Sequence, residues 1–126
     1  MKLEIKHLAP YLPYGLRIEH PTMMSGNRKI SEMRNLGQTS IEISHRIYVQ
    51  ISSCKPLLRP LSDYADINSD AMNDLNCDLS DQIQISEFAS KSISLSAVSV
   101  GAFDVLVSSH VDVFGLIDQD LALPLM

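Results

Sequence analysis

The sequence predicts an α+β fold: a small, mainly antiparallel sheet from the N-terminal half, packed against two or three helices from the C-terminal half, in a single domain over residues 1–126. Three observations carry this expectation. Residues 41–51 alternate between apolar and polar side chains, Ile67, Ala71, Leu75 and Leu79 recur every four residues, and residues 95–109 are apolar nearly all round. The first has the period of a half-buried strand and the second that of a helix.

Taken in order, residues 7–21 hold Pro10, Pro13, Gly15 and Pro21. Proline fixes φ and lacks an N–H, so this segment is expected to be irregular, with a short strand near Leu16–Glu19. Met23 to Asn27 reads as an exposed loop around Gly26. Residues 28–34 read as a strand, partner in a hairpin that turns at Asn35-Leu36-Gly37-Gln38. The spacing of Ile30, Met33 and Leu36 by three keeps a short helix over 28–36 as the alternative. The second strand of that hairpin is 41–51, with Ile41, Ile43, His45, Ile47, Val49 and Ile51 on its apolar face.

Pro56 and Pro60 are expected to end the sheet region. Ser62 offers a cap for a helix over about 63–75, since its hydroxyl can accept from free N–H groups of a first turn. Aspartate is a poor helix former, and like charges at i,i+4 cost a few tenths of a kcal/mol each, so a polar turn should follow. Gln82–Ile85 alternates briefly, and Ser86 is a cap for a turn over Glu87–Ser90. Residues 95–109 predict a buried helix, although Gly101 costs about 1 kcal/mol there. Gly115 closes the next turn, and the apolar tail Leu121–Met126 should dock on the body.

Charge divides the chain. Residues 1–61 carry nine basic and four acidic residues, a balance of +5, whereas residues 62–126 carry one basic residue, Lys91, and eleven acidic ones, a balance of −10. The halves can neutralise each other on folding, or one can present its charge to a partner. Two candidate surfaces follow. Asp63, Asp66, Asp70, Asp74, Asp78 and Asp81, spaced by three or four, would form an acidic stripe on a helix, able to imitate a phosphate backbone. Arg28, Lys29, Arg34, Arg46 and Arg59, with Tyr11, Tyr14 and Tyr48 nearby in sequence, would form a basic face able to hold a nucleic-acid strand by charge and stacking.

Catalytic and metal motifs are missing from the sequence. Asp66-Ile67-Asn68-Ser69-Asp70 opens like a calcium loop, but Ala71 stands where the turn glycine belongs and Cys77 where the bidentate glutamate belongs. His110-x-Asp112 reads as a turn residue with a hydrogen-bonded neighbour rather than a ligand pair, and His45 as a semi-buried strand residue. There is no GxSxG and no glycine-rich phosphate loop. The expectation is a non-enzyme with no cofactor. Cys54 and Cys77 form no CxxC pair and read as reduced cytoplasmic thiols. Neither a signal peptide nor a membrane span is expected.

MKLEIKHLAPYLPYGL (1–16), KPLLRPLSDY (55–64), INSDAMNDLNCDLSDQIQISEFA (67–89) and HVDVFGLIDQDLAL (110–123) together resemble a family of short proteins, without an assigned function, encoded in phages and mobile elements of Bacteroidetes bacteria. The resemblance implies a bacterial cytoplasm and a phage or prophage origin, supports a helix before His110, and brings no residue with an assigned role. The resulting expectation is a phage or mobile-element accessory protein acting through protein–protein contact. An acidic inhibitor or DNA mimic directed at a host nucleic-acid-binding defence protein is the alternative. Nucleic-acid binding by the basic half is a further one. Oligomeric state is left open.

Overall fold

The computed structural model describes residues 3–21, 27–44, 47–75 and 77–125. The chain starts with a short helix, α1 (Ile5–Leu8), which runs into a 3-10 helix over Ala9–Tyr14. Pro10 sits in the first turn of the 3-10 helix and, lacking an N–H, cannot continue the bonding of α1, which ends there. Gly15 closes the turn at φ 66°, a left-handed conformation that glycine adopts without steric cost. The prolines therefore organise a tight helical entry where an irregular segment was expected.

Strand β1 (Arg17–Pro21) lies where a strand was predicted, and β2 (Arg28–Glu32) settles residues 28–32 as strand rather than helix. Their pairing differs from expectation. β2 pairs antiparallel with β1, from Arg17↔Glu32 to Pro21↔Arg28. The partner of the alternating segment is instead β3 (Asn35–Leu36), so residues expected in the turn are part of the ladder. The turn falls after them, where the Gly37 N–H donates to the Ser40 carbonyl at 2.8 Å.

The alternating stretch is itself a hairpin. β4 (Ser40–Ser44) folds back onto β5 (Ile47–Gln50), with Ile41 opposite Val49 and Glu42 opposite Tyr48. Ile41 is buried, but Ile47 is 48% exposed, so the apolar alternation does not mark one continuous buried face. The fold-back leaves the alternation intact, and no glycine or proline marks it, which is why the pattern reads as a single strand. His45 lies outside the described residues.

After a 3-10 turn at Ile51–Ser53, β6 (Lys55–Leu58) runs between β1 and the C-terminal strand β7 (Leu123–Pro124), giving the order β2-β1-β6-β7; β3-β4-β5 form a second sheet. Pro56, expected to end the sheet, stands inside it opposite Ile18. It is tolerated because β7 pairs only with Leu57 and Leu58, so the Pro56 position carries a partner on one side alone. The tail docks as expected: β7 runs parallel to β6, and the Leu125 N–H donates to the Leu58 carbonyl at 2.7 Å.

The second half is helical, in shorter pieces than the sequence suggested. A 3-10 turn at Leu61–Tyr64 contains Ser62, and the cap of α2 (Asp70–Asn73) is Ser69, whose Oγ accepts from the Met72 N–H at 3.2 Å. The expected helix over 63–75 is broken because its serines and aspartates bond to nearby amides instead of continuing the helix. α3 (Leu79–Ala89) absorbs both the Gln82–Ile85 alternation and Ser86, and starts at Asp78, whose Oδ1 accepts from the Asp81 N–H at 2.8 Å. α4 (Val100–Ser108) is the predicted apolar helix, shortened by its cap Ser99 and preceded by a 3-10 turn at Leu95–Ala97. It buries Ala102, Leu106 and Val107 but leaves Val100 79% exposed.

The fold is α+β, with the sheets drawn mainly from the first half and the longer helices from the second. One apolar cluster joins the halves: Leu8, Tyr11, Leu16, Ile18, Ile41 and Leu58 meet Tyr64, Met72, Ile85, Leu106, Val111 and Leu116. Burying a large side chain of this kind contributes about 1.5–3 kcal/mol, so this shared cluster is what holds the helices on the sheet. α3 packs on α4 and on the Leu61–Tyr64 turn, while α4 reaches the Ala9–Tyr14 helix.

Candidate functional site

The acidic stripe is built from several short elements rather than one helical face. Asp63 lies in the Leu61–Tyr64 turn. Asp66 accepts from the Asn68 N–H through Oδ1 at 2.9 Å, so the calcium-loop look-alike forms an Asx turn. Asp70 opens α2 and Asp74 ends it, and Asp78 and Asp81 occupy the first turn of α3. Asp63, Asp66, Asp70, Asp74 and Asp78 are exposed, and Asp81 is half-buried beside Gly101.

The basic candidates separate in space. Arg28 and Lys29 lie on β2, with Arg34 exposed just beyond it. The Arg28 guanidinium pairs with Glu19 and donates to the Ser53 carbonyl, so much of its charge is answered within the chain. Arg59 instead lines a cleft with Asp63, Tyr64 and Asp74, among the acidic residues. Arg46 lies outside the described residues. Among the described residues one ion pair joins the halves, Lys55 to Asp120 at 3.1 Å. It is solvent-exposed, and such pairs contribute little.

α3 carries a feature the sequence reading did not single out. Its inward face is Ile85, Phe88 and Ala89. Leu79 and Ile83, one turn apart on the opposite side, are 63% and 42% exposed. Leu79 was expected to continue the apolar row of Ile67, Ala71 and Leu75, but the break between α2 and α3 rotates it out of register. Asp78 and Glu87, both exposed, flank the pair along the helix. The available signal was the sum of Leu79 and Ile83 with Ile85 and Phe88, which together cover more than one face of a helix.

Other polar groups are turned to structural ends. The Tyr11 hydroxyl, wholly buried, donates to the Val111 carbonyl and accepts from the Val113 N–H at 3.3 Å; burial raises its pKa. Buried Asp112 accepts from the Leu116 N–H at 2.8 Å and the Ile117 N–H at 2.9 Å. His110, at φ 61°, bonds the Tyr14 carbonyl through Nε2 at 2.7 Å. The two members of His110-x-Asp112 thus engage different partners, as expected for a turn. Burial, followed by Lys6, lowers the pKa of His7, and its Nδ1 accepts from the Glu4 N–H at 3.0 Å. Burial pushes the Cys54 thiol up to about 11, and burial with Asp81 and Asp78 raises Cys77, so neither is an activated nucleophile.

Among the described residues, no cluster of three or more histidine, cysteine or acidic side chains is placed to hold a metal ion. No described helix is long and apolar enough to cross a membrane. Comparison with known proteins brings no matching family model, no matching curated protein and no matching solved structure.

Proposed function

We propose that this chain is a non-enzymatic accessory protein of a phage or mobile element, acting in the bacterial cytoplasm by binding another protein. The observation that carries the reading is the exposed Leu79–Ile83 pair on α3, set among Asp78, Glu87 and the aspartates of the preceding turns. An apolar centre with a polar rim is the usual anatomy of a protein interface. The acidic rim favours a partner with a basic surface, which it would steer into contact. The phage or mobile-element origin rests on the resemblance of residues 1–16, 55–64, 67–89 and 110–123.

The test is a tagged pull-down from host lysate with the wild-type chain beside a Leu79→Ser/Ile83→Ser variant. A stoichiometric partner that is lost with the double variant is the expected result. Retention of every partner by the variant would sink the reading.

A second reading is an acidic inhibitor or DNA mimic directed at a host nucleic-acid-binding protein. The exposure of Asp63, Asp66, Asp70, Asp74 and Asp78 along successive turns favours it. It predicts a partner released by salt, displaced by DNA and lost when Asp66, Asp70 and Asp74 are changed together to Asn. Retention on heparin with a gel shift at moderate salt would point instead to nucleic-acid binding by the basic half.

A further inference from the structure

β2 is the end strand of its sheet, and its outer edge carries an ordered set of backbone groups that no described residue pairs. The Met33 N–H donates to the Leu16 carbonyl at 2.7 Å. The register continues from there without a shift through Arg17↔Glu32 to Pro21↔Arg28. Bonded and non-bonded pairs alternate along an antiparallel ladder. Lys29 and Ser31 therefore bond inward to β1, while Arg28, Ile30 and Glu32 turn their N–H and C=O groups outward. Among the described residues nothing pairs with those groups. The same three side chains share the solvent face, where Ile30 is 51% exposed.

An unpaired edge is a template for another strand, and the residues of β2 select which one. Arg28-Lys29-Ile30-Ser31-Glu32 is complementary to itself when reversed. With a two-fold axis at Ile30, Ile30 faces Ile30, each Arg28 faces the other copy's Glu32, and each Lys29 faces Ser31. The residues that meet as bonded pairs are then Arg28, Ile30 and Glu32, the ones whose backbone groups point outward. Glu32 has no ion pair of its own among the described residues, whereas Arg28 already holds Glu19. The second copy's Glu32 would therefore complete an Arg28 flanked by carboxylates on both sides.

Competing registers are penalised. A slip of one residue sets outward groups against inward ones. A slip of two places Lys29 against Lys29 in one direction and Arg28 against Arg34 in the other. A slip of four places Arg28 against Arg28, or Glu32 against Glu32. Like charges directly opposite one another destabilise a strand pair.

We propose that this chain self-associates through antiparallel β2–β2 pairing centred on Ile30, joining two four-stranded sheets into one continuous sheet across a two-fold axis. The partner is a second copy of the same chain. The contact is a short ladder of one strand from each copy, so the association is expected to be weak and concentration-dependent. It does not rest on the α3 face.

The test is sedimentation equilibrium from low micromolar to several hundred micromolar protein. The wild-type mass should rise from 14.0 kDa toward twice that value. Ile30→Pro removes an outward N–H without touching a β1–β2 bond and should weaken association at least about tenfold. Arg28→Glu alone and Glu32→Arg alone place like charges opposite each other and should each be monomeric. Mixed together they restore opposite charges at both positions and should form a heterodimer, a rescue that misfolding cannot produce. Far-UV circular dichroism checks that each variant is folded. A wild-type mass of 14.0 kDa at every concentration overturns the proposal. So does a dimer that all these variants leave unchanged, because that dimer would use another surface.

Discussion

Asp112 and the aspartates from Asp63 to Asp78 are the same residue type put to opposite uses. Asp112 is buried, and each of its oxygens accepts an amide N–H from the chain's own Leu116–Ile117 turn. Around it, Tyr11 holds Val111 and Val113, and His110 holds the Tyr14 carbonyl, so the end of the first helical segment is tied to residues about a hundred positions away. The aspartates of the 63–78 region bond, where they bond at all, to amides two or three residues on, and stay exposed. The buried network spends its polar groups on the fold. The acidic region keeps most of its carboxylate capacity for whatever lies outside.

That contrast can be broken or sharpened by measurement. The largest effect is expected for Asp112→Ala, which strips the buried Leu116 amide and the half-buried Ile117 amide of a charged acceptor and should cost about 3 kcal/mol in denaturant unfolding. A loss below about 1 kcal/mol would mean the turn is held by packing alone. Tyr11→Phe should follow at about 1–3 kcal/mol, because the Val111 carbonyl and Val113 N–H are left without that partner in a buried site. Its core packing is retained, so the unfolding slope should not change.

His7 gives the contrast a pH axis. Its folded pKa lies below the ordinary 6.5, so the unfolded chain binds the proton more readily. The neutral ring therefore contributes stability that is present above the unfolded value and lost as pH falls from there through the lowered folded value. Protonation also removes the Nδ1 acceptor for the Glu4 N–H. The melting temperature should fall on acidification through this window, and His7→Gln should flatten that limb. An unchanged limb in His7→Gln would assign the acid sensitivity to other groups.

The acidic region should respond least. Asp66→Asn/Asp70→Asn/Asp74→Asn should change stability by no more than about 0.5 kcal/mol per site, since exposed positions away from packing rarely count for more. A destabilisation comparable to Asp112→Ala would make the stripe structural and remove the reason to seek a partner for it. Cys54 and Cys77 should label slowly with a thiol reagent at neutral pH, Cys54 more slowly, because it is buried and its Sγ is bonded to the Gln50 carbonyl at 3.1 Å.

Local chemistry was legible wherever it depends on neighbours in sequence. The strand at Arg17–Pro21, the strand character of 40–44 and 47–50, the apolar helix before His110, the turn at Gly115 and the docking tail all follow from periodicity, turn residues and apolar content. The exposure of Asp63, Asp66, Asp70, Asp74 and Asp78 also follows, since a carboxylate without a buried partner stays in water. The candidate surfaces were less legible. Arg59 was grouped with Arg28, yet it lies in a cleft with Asp63 and Asp74, because a chain that folds back brings together residues that spacing keeps apart. Leu79 was read as the last of an apolar row with Ile67, Ala71 and Leu75, and the helix break turned it outward.

The sequence by itself determined the α+β class, the division of charge and the absence of recognisable catalytic spacing, because each depends on residue types and on intervals shorter than a helix or strand. Tertiary structure decided the rest. It chose β1 rather than 41–51 as the partner of β2, folded the alternating segment on itself, and admitted Pro56 to a strand that β7 pairs with only beyond that proline. The reason is physical. A strand's identity is local, but its partner is fixed by which pairing buries Leu16, Ile18, Ile41 and Leu58 together with the helices, and no interval along the chain encodes that choice.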